Sequence, residues 1–367
     1  MTPNWSGGIH CQRRHDGDNV NILFYQKKPG LNSTMLNWTL AEELRLLGHS
    51  VVFLDDVNLD KLPEKTFDWV RGGGENAMAA VEFARRHGAR VHIHAEGVGY
   101  WRVGADSAKN WGFDQEIPEK AVRKWKDDYR SWMDALFLAD TCSINGARQK
   151  QVIESNLYSG RKIPNCYLLS CGVDARYAAT IPAQPKYNIM ITCSRIAENK
   201  RIFKIAEAVA MVDPAIRPQW LICGFGPSDT VKRLETFLRD RGVAHAIQPM
   251  YGAQKWLWIK RSRLMLCGWN GIPPAEGMVC DIPVVSFDHP DIVELFSDTL
   301  FYAADHDPVA YAAAISWIVN RQNKGIPVGD RYTPAYPKTQ LLAGDLYACT
   351  QTQLAKKYDM IFREHKK

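Results

Sequence analysis

No stretch of this chain approaches the roughly 20 consecutive apolar residues that a membrane-crossing helix needs, so no transmembrane segment is expected. The first 19 residues are polar and lack an apolar core followed by a small-residue cleavage site, so they do not read as a secretory signal. None of the nine cysteines forms a Cys-x-x-Cys pair, and the count is odd. That argues against a disulfide scaffold or a zinc ribbon and for reduced thiols in a cytoplasmic protein. Cys193 in NIMITCS and Cys223 in WLICG lie inside apolar, strand-like runs. A Gly-x-Gly-x-x-Gly fingerprint is also missing, because Asp229 stands three positions after Gly226, so a dinucleotide cofactor is not supported. There is no internal repeat and no low-complexity segment.

What is present is an ordinary globular composition. The chain has 367 residues, 46% of them apolar, which suggests about two domains of roughly 150 residues each. The formal charge of +6 permits an anionic partner without demanding one.

Strand-like and helix-like segments alternate along the whole length, the pattern of parallel sheets flanked by helices. Strands are expected at residues 19–25, 49–54, 67–70, 89–94, 141–144 and 167–169, with helices at 32–47, 76–87 and 117–139. A break at residues 178–186 carries two prolines and little periodicity, as a linker does. The alternation restarts with strands at 188–193, 220–223, 246–249, 264–267 and 282–287. Helices are expected at 202–211, 230–241, 256–263, 275–280 and 307–319, followed by a largely helical tail from 340 to 367. The resulting organisation is an N-terminal domain over 1–180, a C-terminal domain over 187–340, and a final segment, 341–367, whose helix returns to the first domain. In such doubly wound sheets, ligands bind in the crevice at the strand C-termini.

Three motifs of the second half fall at such strand ends. In Ser194-Arg195-Ile196-Ala197-Glu198-Asn199-Lys200, an arginine fork and a lysine point charge stand at a strand-to-helix turn. That suits a diphosphate, although two solvated loop cations would read the same. In Cys223-Gly224-Phe225-Gly226-Pro227, the glycines allow either close approach of a ligand or a tight turn. In Gly271-Ile272-Pro273-Pro274-Ala275-Glu276-Gly277-Met278, a glycine turn opens a helix with Glu276 in its first turn. A carboxylate there can accept both hydroxyls of a ribose or simply complement the helix dipole.

Together these motifs resemble glycosyltransferase family 4, retaining nucleotide-sugar enzymes of the GT-B fold: α/β, two doubly wound Rossmann-like domains facing a central crevice. Ser-Arg-x4-Lys, the strand-GxGP element and the Gly-x-Pro-Pro-x-Glu-x-Met run before Pro283-Val284-Val285 occur in the family's order. Cys171-Gly172-Val173-Asp174, Ala139-Asp140 with Ser143, His289–Glu294 and Asp305–Pro308 are weaker echoes. The resemblance implies that Arg195 and Lys200 bind the donor diphosphate and act in catalysis, and that Glu276 binds the ribose. Gly224, Gly226, Asn270, Gly271, Ile272 and Pro273 would line the phosphates and donor sugar, and Tyr251 the base pocket. The implied donor is a UDP-sugar carrying a hexose or pentose. No Asp-x-Asp metal motif appears in a credible place, so neither metal nor cofactor is expected. One departure stands out: the family places another glutamate eight positions before Glu276, where this chain has Gly268.

The first half says less. His92 and His94 alternate onto one face of a strand that runs into Glu96. By the resemblance His94 would face the reacting sugar, and Glu96 is a candidate base; a hydrogen-bonded structural histidine is the alternative. Gly30 and Leu31 follow the first strand, where the family keeps a phosphate-facing loop, and Gly72–Gly74 reads equally as a crevice edge or a flexible loop. Two basic-aromatic stretches, residues 254–263 and residues 120–132 with Lys124 and Trp125, could grip an anionic acceptor or be amphipathic helices with packed aromatics. The expected activity is sugar transfer, with retention, to a saccharide or glycolipid precursor or to a hydroxylated base in modified, phage-type DNA. A non-catalytic sugar-nucleotide-binding subunit and an epimerase of similar fold are the alternatives.

Overall fold

The computed structural model describes residues 19–26, 35–57, 66–95, 130, 132–170, 172–268, 271–328, 341–344, 346–347 and 349–365. Two six-stranded parallel sheets organise the chain. The first contains β1 (Asn21–Phe24), β2 (Ser50–Phe53), β3 (Trp69–Gly73), β4 (Arg90–Ala95), β5 (Thr141–Ile144) and β6 (Cys166–Leu168), in the order β2-β1-β3-β4-β5-β6. The second contains β8 (Ile189–Cys193), β9 (Gln219–Cys223), β10 (His245–Gln248), β11 (Leu264–Cys267), β12 (Val284–Phe287) and β13 (Phe301–Ala303), in the order β10-β9-β8-β11-β12-β13. Each order reverses direction once, beside β1 in the first sheet and beside β8 in the second. Crevices at the strand C-termini open at such points.

Each sheet is buried on both faces, which explains its near-continuous apolar strands. Helix Ala77–Arg86 and the segment around Met133 and Leu136 cover one face of the first sheet. Helix Met35–Leu46 and the C-terminal helix Gln351–Glu364 cover the other. In the second sheet, Ile202–Met211, Ser228–Asp240 and Pro308–Asn323 line one face. Gly252–Arg261, Pro273–Val279 and Pro290–Phe296 line the other.

The C-terminal helix belongs spatially to the first domain. Trp69 Nε1 donates to Phe362 O at 3.2 Å, and His49 Nε2 lies 2.9 Å from Asp359 Oδ1. The helix starts on a capping box, with Thr350 Oγ1 accepting from Gln353 N–H and Gln353 Oε1 accepting from Thr350 N–H. Its approach is fixed by a short parallel pair, β7 (Gly172–Val173) with β14 (Cys349–Thr350). Asp174 then caps helix Ala175–Thr180 by accepting from Tyr177 N–H at 2.9 Å. This corrects the expected linker, whose first three residues are helical. The glycine run also differs from a flexible loop: Gly72 and Gly73 lie within β3, opposite Ile93 and His94.

Candidate functional site

The C-terminal ends of β8, β9 and β11 bring the three motifs of the second half together. Gly224 and Gly226 are glycine because the loop after β9 packs directly on the loop after β8. A Cβ on Gly224 would stand 1.8 Å from Ser194 O, and one on Gly226 would stand 2.1 Å from Ile196 O. Ile196 N–H also donates to Phe225 O at 2.8 Å. These glycines therefore fix the backbone that carries Arg195. Arg195 itself is exposed, and Lys200 is half-buried at the end of a 3-10 turn, Glu198–Lys200. Burial, and secondarily Arg195, push the Lys200 ammonium down to about 8. Two cations thus lie close together on one short loop.

Arg201, which the motif reading passed over, anchors that loop. Its φ of 54° is left-handed, its side chain is buried, and its guanidinium pairs with Asp305 while lying over the Phe287 ring at 5.6 Å. Asp305 lies within one of the weak sequence echoes; only the fold reveals what it holds. Gly268 packs against the same loop from the β11 side. A Cβ there would stand 2.2 Å from Lys200 O, so the departure from the family pattern coincides with a close approach of two backbones. Tyr311 fixes the strand before it: its hydroxyl accepts from Cys267 N–H at 3.0 Å and lies 2.9 Å from Val285 O.

Glu276 lies in the first turn of Pro273–Val279, behind Gly271, whose φ is 143°. Ile272 is the N-cap, and Pro273 is the first helical residue, where a missing N–H costs nothing. Glu276 is buried, and its Oε1 accepts from Lys255 Nζ at 2.6 Å. Burial opposes the charge on Lys255, but Glu276 outweighs it and holds the ammonium above its ordinary value. Tyr251 is exposed at the N-cap of Gly252–Arg261. Asn270 lies outside the described residues.

Across the crevice, His92 and His94 share one partner. His92 Nε2 is 2.8 Å and His94 Nδ1 2.9 Å from Ser143 Oγ, which is 3.2 Å from Tyr358 OH. Burial and the nearby Arg71 push His94 down to about 3, so its imidazole stays neutral. A neutral ring can donate or accept a hydrogen bond but is a weak proton acceptor. Glu96, Gly30, Leu31, Lys124 and Trp125 lie outside the described residues.

The two domains touch at a cap. Glu294 of helix Pro290–Phe296 accepts from the backbone N–H groups of Ala147 and Arg148, at the start of helix Ala147–Val152. Arg148 Nε is 3.1 Å from Asp291 Oδ1. Burial and Glu294 push the Asp291 carboxyl up to about 7, against the pull of Arg148.

The basic-aromatic stretch 254–263 is engaged internally. Trp256 is buried, Arg261 lies over the Tyr187 and Trp258 rings at 5.5 and 5.3 Å, and Lys260 Nζ donates to Ile181 O. Arg263 donates to Asn188 Oδ1 at 2.9 Å and Gln322 Oε1 at 3.0 Å. The stretch clamps the interdomain linker rather than presenting a basic groove.

Residues 175–325 match the family of glycosyl transferases group 1. The fold is GT-B. Among solved structures, HepE from Anabaena, in complex with UDP and glucose, superposes with a TM-score of 0.64 at 13% identity, over 94% of this chain and 100% of that one. The glycosyltransferase WaaG, involved in lipopolysaccharide biosynthesis, superposes with a TM-score of 0.60 at 12% identity, over 94% and 99%. An alpha-glucosyltransferase in complex with UDP-glucose and DNA containing an abasic site superposes with a TM-score of 0.59 at 10% identity, over 94% and 99%. A search of curated proteins found no match by sequence. No helix among the described residues is long and apolar enough to cross a membrane.

Proposed function

We propose that this protein is a glycosyltransferase that takes a UDP-sugar in its second domain and transfers the sugar, with retention, to a hydroxyl presented by the first. The observation that carries this reading is the convergence of Arg195, Lys200 and Glu276 at the point where the second sheet reverses its strand order. The diphosphate sits against Arg195 and Lys200, and the ribose hydroxyls against Glu276. As the glycosidic bond breaks, negative charge grows on the departing phosphate. Cations fixed on the loop after β8 stabilise that charge more than they stabilise the ground state, so no metal or cofactor is required. His94, neutral and anchored on Ser143, donates or accepts a hydrogen bond at the sugar. Among the described residues no second carboxylate is assigned as a nucleophile, so same-face displacement, with the leaving phosphate helping to deprotonate the acceptor, is the step proposed for retention.

The acceptor is a saccharide or glycolipid precursor, or a hydroxylated base in modified DNA. The similar proteins crystallised with sugar, with DNA, or assigned to lipopolysaccharide synthesis span both classes. Incubation with labelled UDP-sugars, first alone and then with lipopolysaccharide core oligosaccharide or hydroxymethylated DNA, tests the reading. Transfer that disappears in Arg195→Ala supports it; undiminished turnover in that variant, or an inverted product by NMR, defeats it.

A further inference from the structure

One cation of the stretch 254–263 has a different task from its neighbours. Lys255 lies in the first turn of Gly252–Arg261, after β10, whereas Glu276 lies in the first turn of Pro273–Val279, after β11. Their side chains meet at 2.6 Å and are 25% and 9% exposed, respectively. A polar group buried that deeply is costly unless it has a partner. We propose that Lys255 is the positioning residue of the ribose subsite: it fixes Glu276 Oε1 and leaves Oε2 to accept both hydroxyls of a ribonucleotide. This rests on the reading that Glu276 takes the ribose.

The surroundings make Lys255 hard to replace. The groups that face the pair are Cys193 at the end of β8, Cys223 at the end of β9, Cys267 at the end of β11, Cys280 after the Glu276 helix, and Asp174 at the cap of Ala175–Thr180. Cys193 is held protonated by its hydrogen bond to Cys223 and by burial, and burial raises Cys267 and Cys280 as well. Lys255 is the cation that contacts Glu276, while Lys200 acts on Cys267 and Lys186 and Lys260 act on Cys280. Without Lys255, the buried Glu276 carboxylate would face a largely apolar shell of thiols with no contact to hold Oε1 in place. A vicinal diol gripped by one carboxylate oxygen also distinguishes UDP from 2′-deoxy-UDP, because the second hydroxyl is half of the contact.

Calorimetric titration of the full chain with UDP and 2′-deoxy-UDP tests this. Wild type should prefer UDP by about tenfold or more. Lys255→Met should lose most of that preference, while its affinity for 2′-deoxy-UDP stays within about twofold. Lys255→Arg should restore the wild-type ratio. Lys255→Gln keeps a hydrogen-bond donor without the charge, so it should keep only part of the preference; it serves if the methionine variant does not fold. A wild-type ratio in Lys255→Met (or, if that variant does not fold, in Lys255→Gln), or an equal loss of both nucleotides, overturns the proposal. Glu276→Gln separates the two readings. If it leaves the ratio intact, Glu276 does not hold the ribose and the underlying reading fails. If it abolishes the ratio while Lys255→Met does not, only the role of Lys255 fails.

Discussion

Replacing Gly268 with alanine would test the backbone geometry on which the diphosphate subsite depends. An ideal Cβ at 268 stands 2.2 Å from Lys200 O and 3.1 Å from both Arg201 Cβ and Ile205 Cδ1. Ordinary contact begins at 3.4 Å, so the carbonyl is more than 1 Å too close. The Ile205 side chain can rotate, but the carbonyl cannot. Lys200 N–H donates to Ala197 O at 2.9 Å, and the next residue is held left-handed with its guanidinium locked on Asp305. The alanine is therefore accommodated by pushing the Lys200–Arg201 backbone away from β11. Overpacking of this kind costs about 1–3 kcal/mol, and disturbing the left-handed Arg201 adds of order 1 kcal/mol. At roughly 2–4 °C per kcal/mol, Tm should fall by about 4–16 °C in differential scanning fluorimetry. UDP affinity, measured calorimetrically below the new Tm, should fall at least about tenfold because Lys200 no longer meets the phosphate at bonding distance. A Tm within 1–2 °C of wild type together with unchanged UDP affinity would refute the reasoning.

Three further outcomes follow from the same geometry. With Lys200 at about 8 in the free protein, a diphosphate that binds only the ammonium form should lose about tenfold in affinity between pH 7 and pH 9; Lys200→Arg should flatten that profile in a calorimetric titration. Tyr311→Phe strips the buried Cys267 N–H of its hydroxyl acceptor and should destabilise the second domain by about 1–3 kcal/mol, read as a lower denaturant midpoint with unchanged slope. Glu294→Ala removes the carboxylate that accepts from Ala147 and Arg148. It should shift the balance toward separated domains by roughly tenfold, seen as a larger radius of gyration in small-angle scattering with UDP affinity unchanged.

Much of the second domain was legible because its chemistry sits where secondary structure changes. Arg195, Lys200 and Glu276 each lie within a few residues of a strand end or helix start, so local sequence carries their position. The partners of those residues were not legible. Lys255 is 21 residues before Glu276, and Asp305 is 104 residues after Arg201. Nothing local distinguishes Lys255 from Lys260 or Arg261, because all three sit in one basic helix; only the packing of that helix against β8, β11 and the linker separates them. Glycine was misleading in the other direction. Gly72 and Gly73 read equally as a crevice edge or a flexible loop; they lie in β3, where a Cβ on Gly72 would strike Ala80 Cβ at 2.5 Å. In the first domain, the histidines were visible by alternation, while the Tyr358 hydroxyl that completes their network arrives from the far end of the chain.

The two glycine contacts and the Arg201–Asp305 pair together explain why the site tolerates Gly268 where the family pattern has a glutamate. Gly224 and Gly226 press the β9 loop onto Ser194 and Ile196, and Gly268 presses the β11 loop onto Lys200. The segment from Ser194 to Arg201 is thus held from both sides, with Arg201 tied underneath to Asp305. A glutamate at 268 would need a Cβ in space that the Lys200 carbonyl fills, so in this chain a closely packed cation loop and a sugar-facing carboxylate at 268 exclude each other. On the proposed function, selection of the donor sugar then falls to other groups, and His94, anchored on Ser143, is a candidate among the described residues. Sugar preference should accordingly respond to substitution at 94, where His94→Gln keeps a neutral hydrogen-bonding side chain and His94→Leu does not. If His94→Leu shows the wild-type ratio of turnover between UDP-glucose and UDP-galactose, His94 takes no part in choosing the sugar.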